Sequence, residues 1–221
     1  MAKRQYENDY PSVTQILGVL RKIGLEMWFK YNTAKFCDEK SNKGKLIGTQ
    51  IHEAIQSFIE TGKASIDTEH EEEVMNALKS FMLFRQENPG MFLKRAEIAL
   101  TSETHKFNGT IDCIGDNVMF DWKTGECKDK EKPVIYDEWK YQVAAYVHLY
   151  NEVNQSNIQE ARIVAIAKDK VAYNIYSMDR EEIDDCFLCA FLPCLTILNY
   201  QKQQKLMEKE RLKNELSSLP K

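Results

Sequence analysis

Apolar residues recur along the chain with two spacings, one typical of helices and one typical of strands. The helical spacing of three to four residues begins after Ser12 and Gln15, which form a capping-box pattern. Short apolar runs between turn residues, which are typical of strands, lie mainly in the middle of the chain. Together the patterns predict these elements in order: a helix from Ser12 to about Met27, a loop at 42–45, a helix through His52 to about Gly62, a helix at 69–85, three strands between 97 and 123, a helix at 137–153, strands at 161–167 and 171–177, and a long helix after Asp179.

This order of elements predicts an α/β core with a helical N-terminal wrap. With 221 residues, of which 43% are apolar, the chain can bury one substantial core, so we expect a single domain. The helical N-terminal part would cover about residues 10–90 and the α/β core about residues 91–200. The charged end, about residues 205–221, is expected to fray.

Two aspartates flank a predicted hairpin turn. Asp112 ends the motif Gly109-Thr110-Ile111-Asp112, and Asp121 begins the motif Asp121-Trp122-Lys123-Thr124-Gly125, with the turn Gly115-Asp116-Asn117 between them. Two neighbouring antiparallel strands would bring both carboxylates to the same end of a sheet. Because such carboxylates repel each other unless a divalent cation lies between them, and because oxygen ligands suit Mg²⁺ or Mn²⁺, we expect a metal site here.

Lys123 lies two positions after Asp121, so on a strand its side chain points to the same face. A lysine beside metal-bound carboxylates can hold a water molecule or offset the charge that builds up on a phosphate. Each feature alone is common in solvated surface hairpins. Their combination predicts a metal-dependent nuclease.

Two further segments accompany the hairpin in a specific order. Gly48-Thr49-Gln50-Ile51-His52-Glu53 precedes it, and Gln142-Val143-Ala144-Ala145-Tyr146 follows it, with its two polar residues four apart on one helix face. This ordered set resembles the PD-(D/E)XK nuclease superfamily, specifically its RecB-type exonuclease branch. The resemblance covers about residues 10–200 and implies a restriction-endonuclease-like core, in which helices flank a central mixed sheet. The residues that carry it are His52, Glu97, Asp112, Asp121, Lys123, Gln142 and Tyr146.

The resemblance implies a metal centre built from several parts of the chain. Asp112 and Asp121 would be the primary ligands, and the backbone carbonyl of Trp122 would complete the shell. His52 would bind a metal from the helix side, as a neutral imidazole can do alongside carboxylates. A metal-activated water would then displace the 3′ oxygen in line and leave a 5′ phosphate.

Three more residues receive roles from the same resemblance, each with an ordinary structural alternative. Glu97 would serve a second metal or orient Lys123; a cross-strand salt bridge is its alternative role. Gln142 and Tyr146 would contact the water, the metal shell or a substrate phosphate. In the alternative, the ring of Tyr146 packs on the sheet.

The opening of the chain resembles a narrower group within this branch. Tyr10-Pro11-Ser12-Val13-Thr14-Gln15-Ile16-Leu17, with Trp28 further on, is similar to phage exonucleases and the mitochondrial genome maintenance exonuclease. The resemblance implies an exonuclease that acts on single-stranded DNA or flaps in DNA replication, recombination or repair, together with proteins of those processes, and it is compatible with a phage-encoded enzyme. Three alternatives stay open: a catalytically inactive DNA-binding or partner-docking module, a double-strand-resecting exonuclease, and a restriction-type endonuclease.

The net charge of −4 is unusual for a protein that binds DNA, but the charge is unevenly distributed. From residue 21 to residue 45 there are seven basic and three acidic residues, a local net charge of +4. Lys128, Lys130 and Lys132 follow the hairpin, while acidic residues concentrate between Asp67 and Glu73, at the start of a predicted helix. A groove that follows a nucleic-acid backbone needs only local positive charge.

Aromatic residues alternate with these lysines just before the His52 helix. Unpaired bases can stack on such rings while lysines follow the phosphates. In the alternative, Trp28 and Phe29 pack the helix onto the sheet. We therefore expect substrate contacts from Tyr31, Phe36, Lys43 and Lys45.

Cysteine spacing raises the question of an iron–sulfur cluster. Some RecB-type nucleases bind one through one early and three late cysteines, and this chain has Cys37 early and Cys186, Cys189 and Cys194 late. The late cysteines lie in an apolar run of the terminal helix, and Cys37 lies further along the chain than the family's early cysteine. Buried free thiols in a reducing compartment are therefore favoured over a cluster.

The sequence shows no apolar run that we expect to span a membrane and no signal-peptide core. Glu7 and Asp9 near the N-terminus are unlike an acidic-poor transit peptide. The chain is therefore expected to act in the cytoplasm, of a bacterial or phage-infected cell, without a membrane partner.

Overall fold

The computed structural model describes residues 6–64 and 70–217. In chain order the elements are α1 (Val13–Leu17), α2 (Ile23–Tyr31), α3 (Ala34–Thr61), α4 (Glu71–Glu87), β1 (Leu93–Ser102), β2 (Phe107–Gly115), β3 (Val118–Gly125), α5 (Asp137–Asn154), β4 (Glu160–Ala167), β5 (Tyr173–Met178), α6 (Arg180–Cys186) and α7 (Leu192–Ser217). A π-helical turn at Phe187–Phe191 joins α6 to α7.

The five strands form one mixed sheet in the order β1-β2-β3-β4-β5. β3 and β4 are parallel, and the other neighbouring strands are antiparallel. The parallel pair is joined by α5, because a parallel connection needs a crossover and a helix supplies it. A mixed sheet flanked by helices confirms the predicted α/β fold class.

Apolar side chains pack on both faces of the sheet in two clusters. One cluster joins the sheet to α1, α5 and the α6–α7 region, and includes Val13, Ile111, Val147 and Phe191. The other joins it to α3 and α4 through residues such as Ile51, Phe81 and Trp122. The ring of Trp122 meets Phe81 and Phe84 edge-on, with centroids 5.4 and 5.9 Å away, an arrangement that aromatic pairs favour. These contacts hold β3 and α4 in a fixed relation.

The middle and C-terminal elements follow the predicted order, and the two-residue turn at Asp116-Asn117 joins β2 to β3. The capping box at the start of α1 is also present: Ser12 accepts a hydrogen bond from the Gln15 backbone, and Gln15 Oε1 accepts one from Ser12 N–H at 2.9 Å. The helix predicted at 69–85 is α4, which begins at Glu71, and its first turn is acidic, as predicted. Two acidic residues of the predicted cluster, Asp67 and Glu69, lie outside the described residues.

Two predictions for the N-terminal part are wrong. The single helix from Ser12 to about Met27 is two helices, because α1 ends at Leu17 with Gly18 as its C-cap, and α2 begins only at Ile23. The predicted loop at 42–45 is helical and belongs to α3, which Thr33 caps at its N-terminus. A helical glycine costs about 1 kcal/mol relative to alanine. Here tertiary packing of the buried side chains of α3, among them Cys37, Ile47, Ile51 and Ile55, outweighs that cost at Gly44.

The C-terminal helical stretch begins after Asp179 as predicted, but it is more apolar than we expected from the sequence. By length and composition alone, Arg180–Glu215 could cross a membrane, contrary to the prediction that no run of this kind exists. Phe187, Phe191 and Leu195 of this stretch are buried in the sheet cluster, whereas 28% of its most apolar window as a whole is buried. The helix also continues to Ser217, past Lys205, from where fraying was predicted.

Candidate metal centre

Strands β2 and β3 separate at the two aspartates. Cys113 pairs with Phe120 and Ile114 pairs with Met119, so the same register would place Asp112 opposite Asp121. The ladder ends before that point, and the backbone N–H of Trp122 donates instead to Asp112 Oδ2 at 2.9 Å. Since the N–H and C=O of one strand residue point to the same side, the carbonyl of Trp122 also faces the opened gap. The structure thus brings both aspartates level with each other, as the hairpin pattern predicted, but partway along the two strands, where the β2–β3 ladder ends, and not at an end of the sheet.

The neighbouring strand is irregular at the same level. Ala96 pairs with Cys113 and Ile98 with Ile111, so Glu97 lies across from Asp112. Glu97 has φ of 55°, in the left-handed region that residues other than glycine rarely adopt, which costs on the order of 1–3 kcal/mol. Ile111 and Cys113 would share a face in a regular strand but lie in different clusters, so β2 also changes face at Asp112. Both strands are therefore distorted where their carboxylates meet.

His52 approaches this point from α3. The buried residues Ile51 and Ile55 fix the helix on the sheet, and the partly buried His52 places Nδ1 3.6 Å from Asp112 Oδ1. One ligand atom each of His52, Glu97 and Asp112 lies within 4.8 Å of the others, so these three residues could hold a metal ion. Burial lowers the pKa of His52, but the nearby Asp112 carboxylate outweighs it, and the net effect is a raised pKa. Burial raises the pKa of Asp112, but His52 and Lys123 lower it by more. The net effect is a lowered pKa, so this carboxyl stays ionised.

Asp121 is the buried charge of the site, with 1% of its surface exposed. Lys123 Nζ lies 2.6 Å from Oδ2 in an ion pair, but neither carboxylate oxygen accepts a well-oriented hydrogen bond from the described residues. Burial raises the pKa of Asp121 to about 6, even though Lys123 opposes the shift. A buried carboxylate is stable only when it is paired or coordinates a cation. Lys123 supplies the pairing charge, but without an oriented hydrogen bond from the described residues both oxygens of Asp121 stay available to a divalent cation.

Tyr146 and Gln142 lie on the face of α5 that covers β2. The Nε2 group of Gln142 donates to the hydroxyl oxygen of Tyr146 at 2.8 Å. Burial raises the pKa of Tyr146 well above its usual value, and Asp121 and Asp112 reinforce the shift. The phenol is thus neutral and keeps its proton to donate. The effect of both aspartates on its pKa places Tyr146 near them, and Gln142 is joined to Tyr146 by this hydrogen bond.

Gly109 explains how α5 comes so close to the sheet. A Cβ atom at this position would lie 2.7 Å from Leu149 Cδ2 and 3.0 Å from Tyr146 Cε1. A side chain would therefore displace the side chains of Leu149 and Tyr146 on α5. The glycine of the Gly109-Thr110-Ile111-Asp112 motif is needed for helix–strand packing.

Replacing Gly109 by Ala should lower stability by about 1–3 kcal/mol, the usual cost of overpacking a core. Because Tyr146 is one of the two side chains that must move, activity should fall further than the loss of folded protein explains. Thermal melting and cleavage rates at a temperature where the variant is fully folded would separate the two effects. Gly90→Ala is a matched control, since nothing lies within 4 Å of its Cβ position. Unchanged activity in folded Gly109→Ala would contradict the role of this contact.

The predicted substrate-binding residues lie outside the metal centre. Tyr31 is 72% exposed at the end of α2, and Phe36 is 41% exposed near the start of α3, where Lys40 Nζ lies 5.9 Å from its ring. Lys43 forms an ion pair with Glu73 at 2.8 Å. Lys45 is exposed and lies two helical turns before His52. Their contact with substrate stays a prediction.

The surrounding basic stretch is partly neutralised. Arg21 pairs with Glu26 and Lys22 with Glu138. No residue of α2 is buried, so the alternative in which Trp28 and Phe29 pack this helix onto the sheet is wrong. The lysines after the hairpin, Lys128, Lys130 and Lys132, are exposed in the loop between β3 and α5.

The cysteines considered for a cluster do not converge in the part of the chain that the structure describes. His52, Glu97 and Asp112 are the one group of three candidate ligands found there. Cys37 is buried in α3. Of the late cysteines, Cys186 is partly buried at the end of α6, Cys189 is exposed in the π-helical turn, and Cys194 is buried near the start of α7.

The chain matches no protein-family model, and no curated protein matches it. Among solved structures it is similar to an alkaline exonuclease (LHK-Exo) from Laribacter hongkongensis, with a TM-score of 0.44, 10% identity and 94% of each chain covered. The complex of LHK-Exo with dAMP gives a TM-score of 0.44 and 12% identity, over 76% of this chain and 92% of that one. A phage-related exonuclease from Haemophilus somnus 129PT gives a TM-score of 0.36 and 12% identity, over 69% and 82%.

The likeness is distant, and the functional conclusion depends on the residues of the site themselves.

Proposed function

We propose that this protein is a metal-dependent nuclease that hydrolyses phosphodiester bonds in DNA. The observation that carries the proposal is the buried carboxylate of Asp121, which lies beside Lys123 and at the level of Asp112 where two strands separate. A fold has no structural need for such a costly charge. It is useful where a cation and a phosphate must be held together.

The donors present fit a divalent cation. Asp112 and Asp121 supply carboxylate oxygens, Trp122 has its carbonyl toward the gap, and His52 and Glu97 border the same space. This mostly oxygen set favours Mg²⁺ or Mn²⁺. When bound, such an ion lowers the pKa of a coordinated water and offsets negative charge on the phosphate.

The protein's own side chains then position the reacting groups. Trp122 N–H fixes one oxygen of Asp112 and so leaves the other directed toward His52. Lys123 offers an ammonium group that can hold the attacking water or offset charge on the phosphate. Because Gln142 donates to the oxygen of Tyr146, the phenol's own proton is available for a phosphate oxygen or a water molecule.

The finer proposal is an exonuclease that acts on single-stranded DNA or flaps during replication, recombination or repair, in the cytoplasm of a bacterial or phage-infected cell. Exposed aromatic rings next to lysines support it: Lys30 Nζ lies 5.8 Å from the Tyr31 ring, in the manner of the Lys40–Phe36 pair. Bases that stack on such rings contribute about 1–3 kcal/mol each, and a duplex hides them.

The direct test is digestion of end-labelled linear DNA with Mg²⁺, alongside a covalently closed single-stranded circle. An exonuclease degrades the linear strand and leaves the circle intact. Oligonucleotides blocked at one end or the other would give the polarity. Cutting of the circle would instead indicate an endonuclease, and binding without loss of label would indicate an inactive DNA-binding or partner-docking module.

We also expect single-stranded and flap DNA to be digested faster than blunt duplex. Together, Tyr31→Ala and Phe36→Ala should lower the ratio of the single-stranded rate to the duplex rate about tenfold, because they remove stacking surfaces. The measurement is a comparison of initial rates on the three substrates at moderate salt. Tyr200→Ala, at an exposed tyrosine of α7, is the matched control. Equal or faster digestion of blunt duplex would indicate a double-strand-resecting exonuclease.

A further inference from the structure

A large cleft separates α2 from the beginning of α5. Its volume is about 720 Å³, which is enough for one or two nucleotides. The α2 side of the lining is mainly apolar and aromatic, with Leu20, Ile23, Leu25 and Trp28, and the α5 side combines Tyr136 and Tyr141 with the acidic Asp137 and Glu138. The cleft thus has a ring on each wall.

The α2 wall is unusual for a helix in a folded protein. Seven of its nine residues are apolar or aromatic or glycine, yet none is buried. Ile23 and Leu25 are 65% and 46% exposed. An ion pair between Lys22 and Glu138, at 3.1 Å, joins the two walls, and exposed pairs of this kind contribute little stability. The walls can therefore adjust to an occupant.

Helix α5 contributes residues both to the cleft and to the metal centre. This helix follows β3 and leads back to the parallel strand β4, so its first turns lie beyond the carboxyl end of β3, the end toward which Asp121 and Lys123 lie. Tyr141 lines the cleft, and the next residue, Gln142, bonds to Tyr146 at the site. Consecutive residues of α5 thus belong to the cleft and to the metal centre.

The charges around the cleft are neutralised within the protein. Arg21 pairs with Glu26, Lys22 with Glu138, and Asp137 with Lys140. The cleft therefore offers flat apolar surface rather than net positive charge. Such a surface suits the faces of bases, whereas phosphates need free cations.

We infer that this cleft binds unpaired bases of the DNA strand whose phosphate is held at Asp112 and Asp121, with Trp28 and Tyr136 as the stacking surfaces. The inference rests on the proposed nuclease function and adds a base-binding subsite to it. Recognition here is by stacking, so it is tolerant of sequence but requires that the bases be unpaired.

The experiment measures binding of a fluorescent single-stranded oligonucleotide by anisotropy, with Ca²⁺ in place of Mg²⁺. A second oligonucleotide carries the same backbone with a run of abasic residues. Trp28→Leu and Tyr136→Ala should each weaken binding of the normal strand about tenfold, the scale of one stacked base, and leave binding of the abasic strand unchanged. Phe29→Leu is the matched control, since Phe29 lies on α2 but does not line the cleft.

The outcomes separate this inference from the proposed function. If the wild type degrades linear DNA with Mg²⁺ but the two cleft variants bind both strands like the wild type, the cleft inference is wrong and the nuclease proposal stands. Equal weakening on normal and abasic strands would also overturn it, because the loss would then not involve bases. If Trp28→Leu fails to fold, Tyr136→Ala still decides, since Tyr136 is 51% exposed outside any helix or strand.

Discussion

Replacing Asp121 by Asn, or Lys123 by Ala, should abolish cleavage and leave the protein folded. Asparagine keeps the shape of Asp121 but removes the charge that a cation needs, and Lys123, with 15% of its side chain exposed, keeps some solvent contact when its partner's charge is lost. Lys123→Ala removes an ammonium group 2.6 Å from that carboxylate. Loss of a single charge-stabilising group of this kind costs about 10²- to 10³-fold in turnover.

Metal binding should distinguish the two variants. Asp121→Asn should weaken binding of Mn²⁺, measured by calorimetry, whereas Lys123→Ala should leave it largely unchanged. Asp116→Asn is the matched control, because Asp116 lies in the turn of the same hairpin, exposed and paired with Lys94. Activity near the wild-type level in either Asp121→Asn or Lys123→Ala would show that the catalytic centre lies elsewhere.

The aspartate pair could be predicted because a hairpin imposes its geometry over a short distance. Once Asp116 and Asn117 form the turn, the register that pairs Cys113 with Phe120 follows, and it places Asp112 level with Asp121. The placement of Gln142 and Tyr146 was predictable in the same way, from a spacing of four on a helix. Such local rules are enough to predict the relative positions of these four residues.

The distortions that complete the site could not be predicted. Glu97 adopts a left-handed backbone conformation that no local rule assigns to a glutamate, and β2 changes face at Asp112 against its own alternation. Both depend on contacts between segments far apart in the chain. The surroundings, rather than the sequence near Glu97, must hold this strain.

In the N-terminal helices, local composition and apolar spacing gave wrong predictions. Asn42-Lys43-Gly44-Lys45 has the composition of a loop, but Ile47 and Ile51 bury one side of α3 and the helix continues through it. Conversely, the apolar spacing of α2 predicts burial, yet none of its residues is buried. Apolar periodicity identifies a helix face, but it does not reveal whether that face meets the core or a ligand.

Activity should require Mg²⁺ or Mn²⁺ and vanish in the presence of a chelator, while Ca²⁺ should support DNA binding without turnover. Ca²⁺ accepts more ligands at longer distances and tolerates looser geometry, so it organises in-line attack poorly. The measurement is a cleavage rate in each ion, paired with DNA binding by anisotropy. Full activity in excess chelator would rule out the proposed mechanism.

Binding of the divalent cation should also compete with protonation of the Asp121 carboxylate. Because burial raises the pKa of Asp121 to about 6, this carboxyl is ionised above that pH and increasingly protonated below it. The metal concentration for half-maximal activity should therefore rise up to about tenfold for each pH unit below 6. Since the ion binds the folded state, Mn²⁺ should raise Tm in the wild type and much less in Asp121→Asn. A Tm shift of equal size in both proteins would mean that the cation binds away from Asp121.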